Sequence, residues 1–356
     1  MGMPSVNISF TEKAKQSIER SERGIVALIL KDETPNENPV IIFSAEDIPE
    51  TLTEKNKEQI QLALMGYTKA PRKVIAYVIE EGEEGIVDYT KALEFLETER
   101  FDYLAIPTIE TDGKTSEIAN WVEVQRENGK KCKAVLPNTK ADNEGVINVT
   151  TEEFISNDNI YTTEEYCARI AGLIAGTPLT IACTYAPLNE LTDCTRLKKR
   201  DMDTAIDNGE FIVFHDGEKV KVGRGVNSLT TTTDEKGNQF KKIKIVEAMD
   251  MIYDDIKQTA EDRYLGKFPN SYDNKCLLIS AIGDYFEQLQ LEGVISSYTI
   301  DIDSVAQKAF LKSLGEDVEN MSENEIRVAN TQDKVFLAAS VKILDAIEDI
   351  KLPISI

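Results

Sequence analysis

Histidine is almost missing from this chain: His215 is the only one among 356 residues. Any Ser-His-Asp or Cys-His machinery would have to use it, and sites with several histidine ligands are excluded. It stands beside Asp216 in a segment that reads as a hairpin turn, with no nucleophile elbow nearby. A histidine there is ordinarily a solvated polar residue. Cysteine is also sparse, and Cys132, Cys167, Cys183, Cys194 and Cys276 are scattered, odd in number and without a C-x-x-C pair. That argues against a disulfide framework or thiolate metal site and for buried free thiols in a reducing cytosol.

Long apolar runs are absent too. The longest, Ile170 to Cys183, is interrupted by Gly172, Gly176 and Pro178 and is too short to span a bilayer. The N-terminus lacks the basic, apolar, small-residue order of a signal peptide, so a soluble protein made in the cytoplasm is expected, with no membrane insertion. Basic residues are in deficit: 40 Lys and Arg against 63 Asp and Glu leave a formal net charge of −23. Direct binding to nucleic acid or to an anionic membrane surface is disfavoured by that sign. In a protein that polymerises, the same charge would make assembly sensitive to ionic strength.

No D-x-D-x-D-G calcium loop appears, and nothing selects one carboxylate pair over another for glycosidase-type work. Gly223 to Ser228 (GRGVNS) has a superficial likeness to a G-x-G-x-x-G phosphate loop. Ser228 stands where the third glycine belongs, and threonine-rich extended sequence follows where a phosphate-binding helix should start. No catalytic residue, cofactor or metal is therefore assigned.

What is present is enough apolar material for real cores, 41% of residues, over a length that implies two or three domains. The run Ile25 to Leu30 (IVALIL) has the pattern of a strand covered on both faces. Val40 to Phe43 is a short strand. Thr53 is expected to cap a helix in which Ile60 and Leu64 face inward, with Glu54 and Glu58 near its positive end. Strands at Lys73–Glu80, Tyr103–Pro107 and Lys133–Leu136 then alternate with helices at Tyr89–Glu99 and Thr115–Asn128, the latter with Ile118, Trp121 and Val122 on one face. Such alternation implies βαβ crossovers and a mostly parallel sheet. A helix rich in small residues follows at Glu164–Ala175. Phe211–Phe214 and Lys219–Val222 flank the turn that holds His215.

The stretch from Arg224 to Lys257 reads as an extended β-branched segment (Val226, Leu229 and Thr230 to Thr233), a polar turn at Asp234–Asn238, a basic strand, and a long helix. In that helix Ile245, Met249, Ile252, Ile256 and Ala260 share a face, and the pattern extends to about Leu265. A second helix over Asn274–Leu291 presents Leu278, Ile282, Tyr285 and Leu289. Tyr298–Asp303 reads as a strand, Val305–Leu314 as a short helix and Val335–Val341 as a strand. Both ends of the chain alternate like strands: Val6, Ile8 and Phe10 at one terminus, Ile350, Leu352, Ile354 and Ile356 at the other. Solitary edge strands are normally blunted, so two of them invite an explanation. The basic runs Leu197–Arg200 and Lys241–Lys244 read either as solvated element ends or as docking surfaces for an acidic neighbour.

The expected fold class is thus α/β and α+β. An N-terminal arm (1–20) precedes an α/β layer domain with a mostly parallel sheet (21–223), a C-terminal α+β domain (224–345) and a C-terminal arm strand (346–356).

Five separated words, in order from end to end, carry a resemblance. They are SERGIVALIL (Ser21–Leu30), YCARIAGLIAGTPLTIACTY (Tyr166–Tyr185), RGVNSLTT (Arg224–Thr231), FKKIKIVEAMDMIYDDI (Phe240–Ile256) and DKVFLAASVKILDAIEDIKLPISI (Asp333–Ile356). Together they resemble the contractile tail sheath proteins of phage tails and phage-tail-like bacteriocins, in a compact form. The resemblance implies a structural subunit with no catalytic residues to transfer. It implies hexameric rings stacked helically around an inner tail tube protein, with baseplate and tail terminator proteins as further partners. It also implies that the terminal arms add strands to neighbouring subunits, and that contraction drives the tube through a target envelope. On that reading Val6, Ile8, Phe10, Ile350, Leu352, Ile354 and Ile356 make intersubunit arm contacts. Val226, Leu229, Lys241, Lys242 and Lys244 form a candidate assembly surface. Two rivals stay open from the residues alone: a cytosolic α/β enzyme acting on a small molecule, and a tail-tube or baseplate component.

Overall fold

The IVALIL run becomes the core of strand β1 (Ile25–Asp32), and its side chains divide between two cores. Val26, Leu28 and Leu30 enter one, while Ile25, Ala27 and Ile29 enter the other, none more than 1% exposed. A period-two strand buried on both faces needs a layer on each side, and this chain supplies both. The structure, a computed structural model, describes residues 18–32, 38–80 and 87–356. The expected N-terminal strand with Val6, Ile8 and Phe10 lies outside the described residues. The chain divides into two units, one of residues 22–251 with 345–356 and the other of residues 252–344 with the described residues up to Ser21.

In the first unit, β1 is followed by β2 (Val40–Ile42), β3 (Lys73–Glu80), β4 (Tyr103–Ala105), β5 (Lys133–Pro137) and β6 (Val146–Val149). Then come β7 (Glu153–Ser156), β8 (Ile160–Thr162), β9 (Leu191–Cys194), β10 (Glu210–Phe211), β11 (Val213–His215) and β12 (Val220–Val222). The main sheet has the order β10-β6-β5-β4-β1-β3-β2, with every pair parallel except the antiparallel edge strand β2. Helices α1 (Glu54–Leu64) and α4 (Thr163–Ala175) close one face; α2 (Thr90–Thr98) and α3 (Thr115–Glu127) close the other. The remaining helices touching this unit are α5 (Lys199–Asp207) and the start of α6 (Ile243–Thr259).

The small residues of α4 have a specific use. A Cβ on Gly172 would stand 1.9 Å from the carbonyl oxygen of Ala63 in α1, so only glycine lets the two helices approach this closely. Thr162 caps α4 by a reciprocal capping box with Glu165. At α1 the expected cap is in position, but Thr53 makes no side-chain cap hydrogen bond; its backbone N–H donates to Asp32 Oδ2 at 2.8 Å instead.

Elements β6 to β9 and α5 were not anticipated, because their short apolar sets sit among polar residues with no sustained period. The expected strand Phe211–Phe214 is two strands: β10 extends the main sheet through β6, and β11 pairs with β12 in the hairpin. In its turn the Asp216 side chain accepts from the backbone N–H groups of Glu218 and Lys219, and His215 Nδ1 accepts from Gly217. The lone histidine is thus turn structure. Arg224 to Lys257 needs a larger correction. Of the expected strand from Val226, only Val226 forms a bridge, to Lys242, because the backbone N–H groups of Thr230 and Thr231 donate to the Asp142 side chain and not to a strand. The expected basic strand is a 3₁₀ turn (Asn238–Lys241) leading into α6.

In the second unit α6 gives way after Thr259 to a π-turn, Ala260–Tyr264. Then follow α7 (Tyr272–Leu291), β13 (Ile295–Ile302), α8 (Ser304–Ser313), α9 (Glu323–Val328) and β14 (Leu337–Ile343). Ala281, Ile282, Tyr285, Phe286 and Leu289 form the buried stripe of α7, and the Phe286 ring meets Tyr298 of β13 at 5.4 Å. Leu311, Val318 and Ile326 make a small separate core under α8 and α9. The fold class is that expected: an α/β unit with a mostly parallel sheet, and α+β structure after it.

Candidate assembly interface

Strands β13 and β14 pair only with each other among the described residues, antiparallel from Ile295↔Ile343 to Ile302↔Leu337. A two-stranded sheet is marginal by itself, and here helix α7 supports one face. Each strand keeps an outer edge of main-chain donors and acceptors with no strand on it. Ala338, Ala339, Ser340 and Lys342 of β14 are exposed. Only modest devices blunt these edges: Lys342, and Asp301 paired with Arg327 Nη1 at 2.7 Å.

After β14 the chain forms no further strand. The alternating tail residues Ile350, Leu352, Ile354 and Ile356 are each at least 74% exposed, so the expected terminal strand has no partner among the described residues. The segment before them is held down. Asp345 pairs with Lys242, and Glu348 accepts from the hydroxyl of Thr184. Arg224 reaches Glu348 through Nε at 3.3 Å and Asp349 through Nη2 at 2.7 Å. The Thr184 and Arg224 contacts border a cavity of about 360 Å³ that Met202, Ile206 and Phe214 line on its apolar side. Tyr185, on the same cavity, has φ +58°, unusual for a bulky residue, and packs its exposed ring on Phe214 at 5.6 Å.

The candidate surface from Val226 to Lys244 is largely inside. Val226, Leu229 and Lys244 are buried, so they present no surface in this chain; Lys241 and Lys242 are half-buried, and Lys242 is engaged by Asp345. The Leu197–Arg200 run is exposed at the start of α5, where Lys199 meets Asp203 at 2.5 Å, one turn on.

Sequence reasoning missed a buried charge network in the first unit. Arg126 makes a two-pronged contact with Asp250 at 2.9 and 3.0 Å. Lys133 reaches Glu247 at 2.7 Å and Asp250 at 2.8 Å, and the Tyr103 hydroxyl donates to Glu247 at 2.6 Å. Burial would raise the Asp250 carboxyl, but Lys133 and Arg126 hold it below its usual range. The signal was in the sequence: Glu247 and Asp250 fall one turn apart, among the buried positions at the start of α6. The cysteines are free, with Cys276 alone half-buried. Burial pushes the Cys183 thiol up to about 12 and those of Cys132 and Cys194 up to about 11, which leaves them poor nucleophiles.

Two family models account for most of the chain. The phage tail sheath protein central domain matches residues 82–228, and the phage tail sheath C-terminal domain matches residues 235–356. The tail sheath protein of Clostridium phage phiCD119 is 40% identical over 358 aligned residues, covering 99% of this chain and 98% of that one. The chain belongs to the phage tail sheath family.

This sheath chain is also 32% identical to the phage-like element PBSX protein XkdK of Bacillus subtilis, over 61% of its own length and 48% of the relative's. Among solved structures, the contracted helical sheath of the anti-feeding prophage matches with a TM-score of 0.71 at 16% identity, covering 100% of this chain and 99% of the other. A sheath tail protein from Desulfitobacterium hafniense matches with a TM-score of 0.70 at 20% identity, covering 84% and 94%. Those two likenesses concern the fold. Family membership makes the sheath chain a structural protein of contractile tails and not an enzyme, which removes the small-molecule rival.

Proposed function

We propose that this sheath chain polymerises by exchanging terminal strands between copies, as hexameric rings stacked helically around an inner tail tube. The observation that carries the reading is a complementary pair. Among the described residues, a two-stranded sheet stands with both edges unpaired, and an exposed tail with alternating apolar residues joins no strand. Strand addition would supply main-chain hydrogen bonds, with Ile350, Leu352, Ile354 and Ile356 fixing register by their period of two. Val6, Ile8 and Phe10 would supply the second arm. Head-to-tail contacts of this kind propagate into a helix in place of closing into a dimer.

On this reading residues 1–20 and 346–356 are arms, and the parts between them are bodies that move while the arms keep copies connected. Contraction into a shorter, wider state drives the tube through a target envelope. The contracted anti-feeding prophage sheath supports that comparison by likeness of fold. Baseplate and tail terminator proteins bound the polymer at its ends, and subunits made in the bacterial cytoplasm assemble into the tail particle. Deleting Ile350–Ile356 is expected to leave a folded subunit that forms no tubes in negative-stain microscopy. Normal tubes from that truncation would sink the proposal.

A further inference from the structure

The arm does not begin where its last strand ends. Between β14 and Ile350, three side chains of the first unit hold its root: Lys242 on Asp345, Thr184 on Glu348, and Arg224 on Glu348 and Asp349 together. Glu348 is the centre of this arrangement, with its side chain only 10% exposed although the residues after it stand in solvent. Arg224 and Thr184 come from distant places, brought together because Gly225 N–H donates to the Thr184 hydroxyl at 3.0 Å.

We infer that Arg224, Thr184 and Lys242 form a releasable ionic clasp that sets the working length of the C-terminal arm. With the clasp closed, the free arm is Ile350–Ile356, an extended reach of about 23 Å at about 3.3 Å per residue. With it open, the free segment begins at Asp345 and reaches about 40 Å by the same measure. Two lengths suit a tether between copies whose separation changes, so the inference rests on the arm-exchange reading for its purpose, although not for its existence. The contacts are charge pairs at a half-exposed surface, with Arg224 33% exposed, so added salt weakens them and favours the longer arm.

The test is limited proteolysis of the dispersed full-length chain, followed by mass spectrometry of the released C-terminal peptides. Endoproteinase Glu-C must take Glu348 out of the clasp to cut after it, whereas trypsin meets Lys351 in the exposed arm. At low salt, cleavage after Glu348 is expected to be much slower than cleavage after Lys351. Arg224→Gln should speed the Glu348 cut about fivefold, as losing a partly exposed pair implies, and leave the Lys351 cut unchanged. Asp349→Asn, at a side chain 82% exposed and so harmless to folding, should give a smaller rise in the same direction. Rising salt should reproduce both effects in the unaltered chain. Glu348 cut as fast as Lys351 in the unaltered chain, or unaffected by both variants, would overturn the clasp. Because dispersed chains are read, a failed clasp with normal tubes is distinguishable from an intact clasp with no arm exchange.

Discussion

Two of the sheets in this protein, the main one and β13–β14, solve the same problem in opposite ways. The main sheet is seven strands wide, buries β1 on both faces and leaves only the short strands β2 and β10 at its edges, so its apolar side chains are covered within one chain. The β13–β14 sheet has two strands, one supporting helix and two open edges among the described residues. A sheet covered on both faces holds the subunit's own stability, because its burial is complete before any partner arrives. On the proposed strand exchange, a narrow one defers part of its hydrogen bonding to assembly. The difference predicts that damage to the first is read as unfolding, and damage to the second or to the arm as failure to polymerise.

The largest expected effect lies in the charge network behind the main sheet. Asp250→Asn leaves the buried Arg126 short of its charged partner and should cost about 3–5 kcal/mol, measured by denaturant unfolding of the dispersed chain. The pH dependence follows in sign. The Asp250 carboxyl is depressed in the fold, so its contribution is full above its ordinary value of 3.8 and is lost as pH falls through the lower folded value. Asp250→Asn should therefore flatten the part of the acid unfolding curve below about pH 4. A parallel downward shift with unchanged acid slope would count against the network.

A middle effect is expected at the contact of α4 with α1. Gly172→Ala forces a Cβ against the Ala63 carbonyl and should cost about 1–3 kcal/mol by overpacking, seen as a lowered Tm. An unchanged Tm would mean that the helices separate without loss. The smallest effect on stability belongs to the arm. Ile354→Asp changes an exposed side chain and should leave unfolding within about 0.5 kcal/mol of the parent. Tube yield should nevertheless collapse, and a variant that lost both together would blur the distinction between the sheets.

The part of the fold legible in the sequence was the part governed by period. IVALIL, the α7 stripe and the tail all announce an apolar face by spacing alone; the structure buries the first two and leaves the tail exposed. What spacing cannot register is geometry set by side chains far apart. Val226 to Thr233 has β-branched composition, yet Asp142 takes the main-chain donors that a strand would have used. The clasp joins Thr184, Arg224 and Glu348 across more than a hundred residues, so only the folded chain displays it. The glycines of GRGVNS, which suggest a phosphate loop, lie where backbone must pass closely: a Cβ on Gly225 would meet Cys183 Sγ at 2.8 Å.

Hydrogen exchange of β13, β14 and residues 350–356, compared between dispersed subunits and assembled tubes, tests the central claim most directly. Unpaired edges and an unpartnered tail should exchange freely in the dispersed chain and become protected together on assembly, while the main sheet, already covered on both faces, changes little. Tubes in which β13, β14 and the tail exchange as fast as in the dispersed subunit would contradict strand exchange between copies.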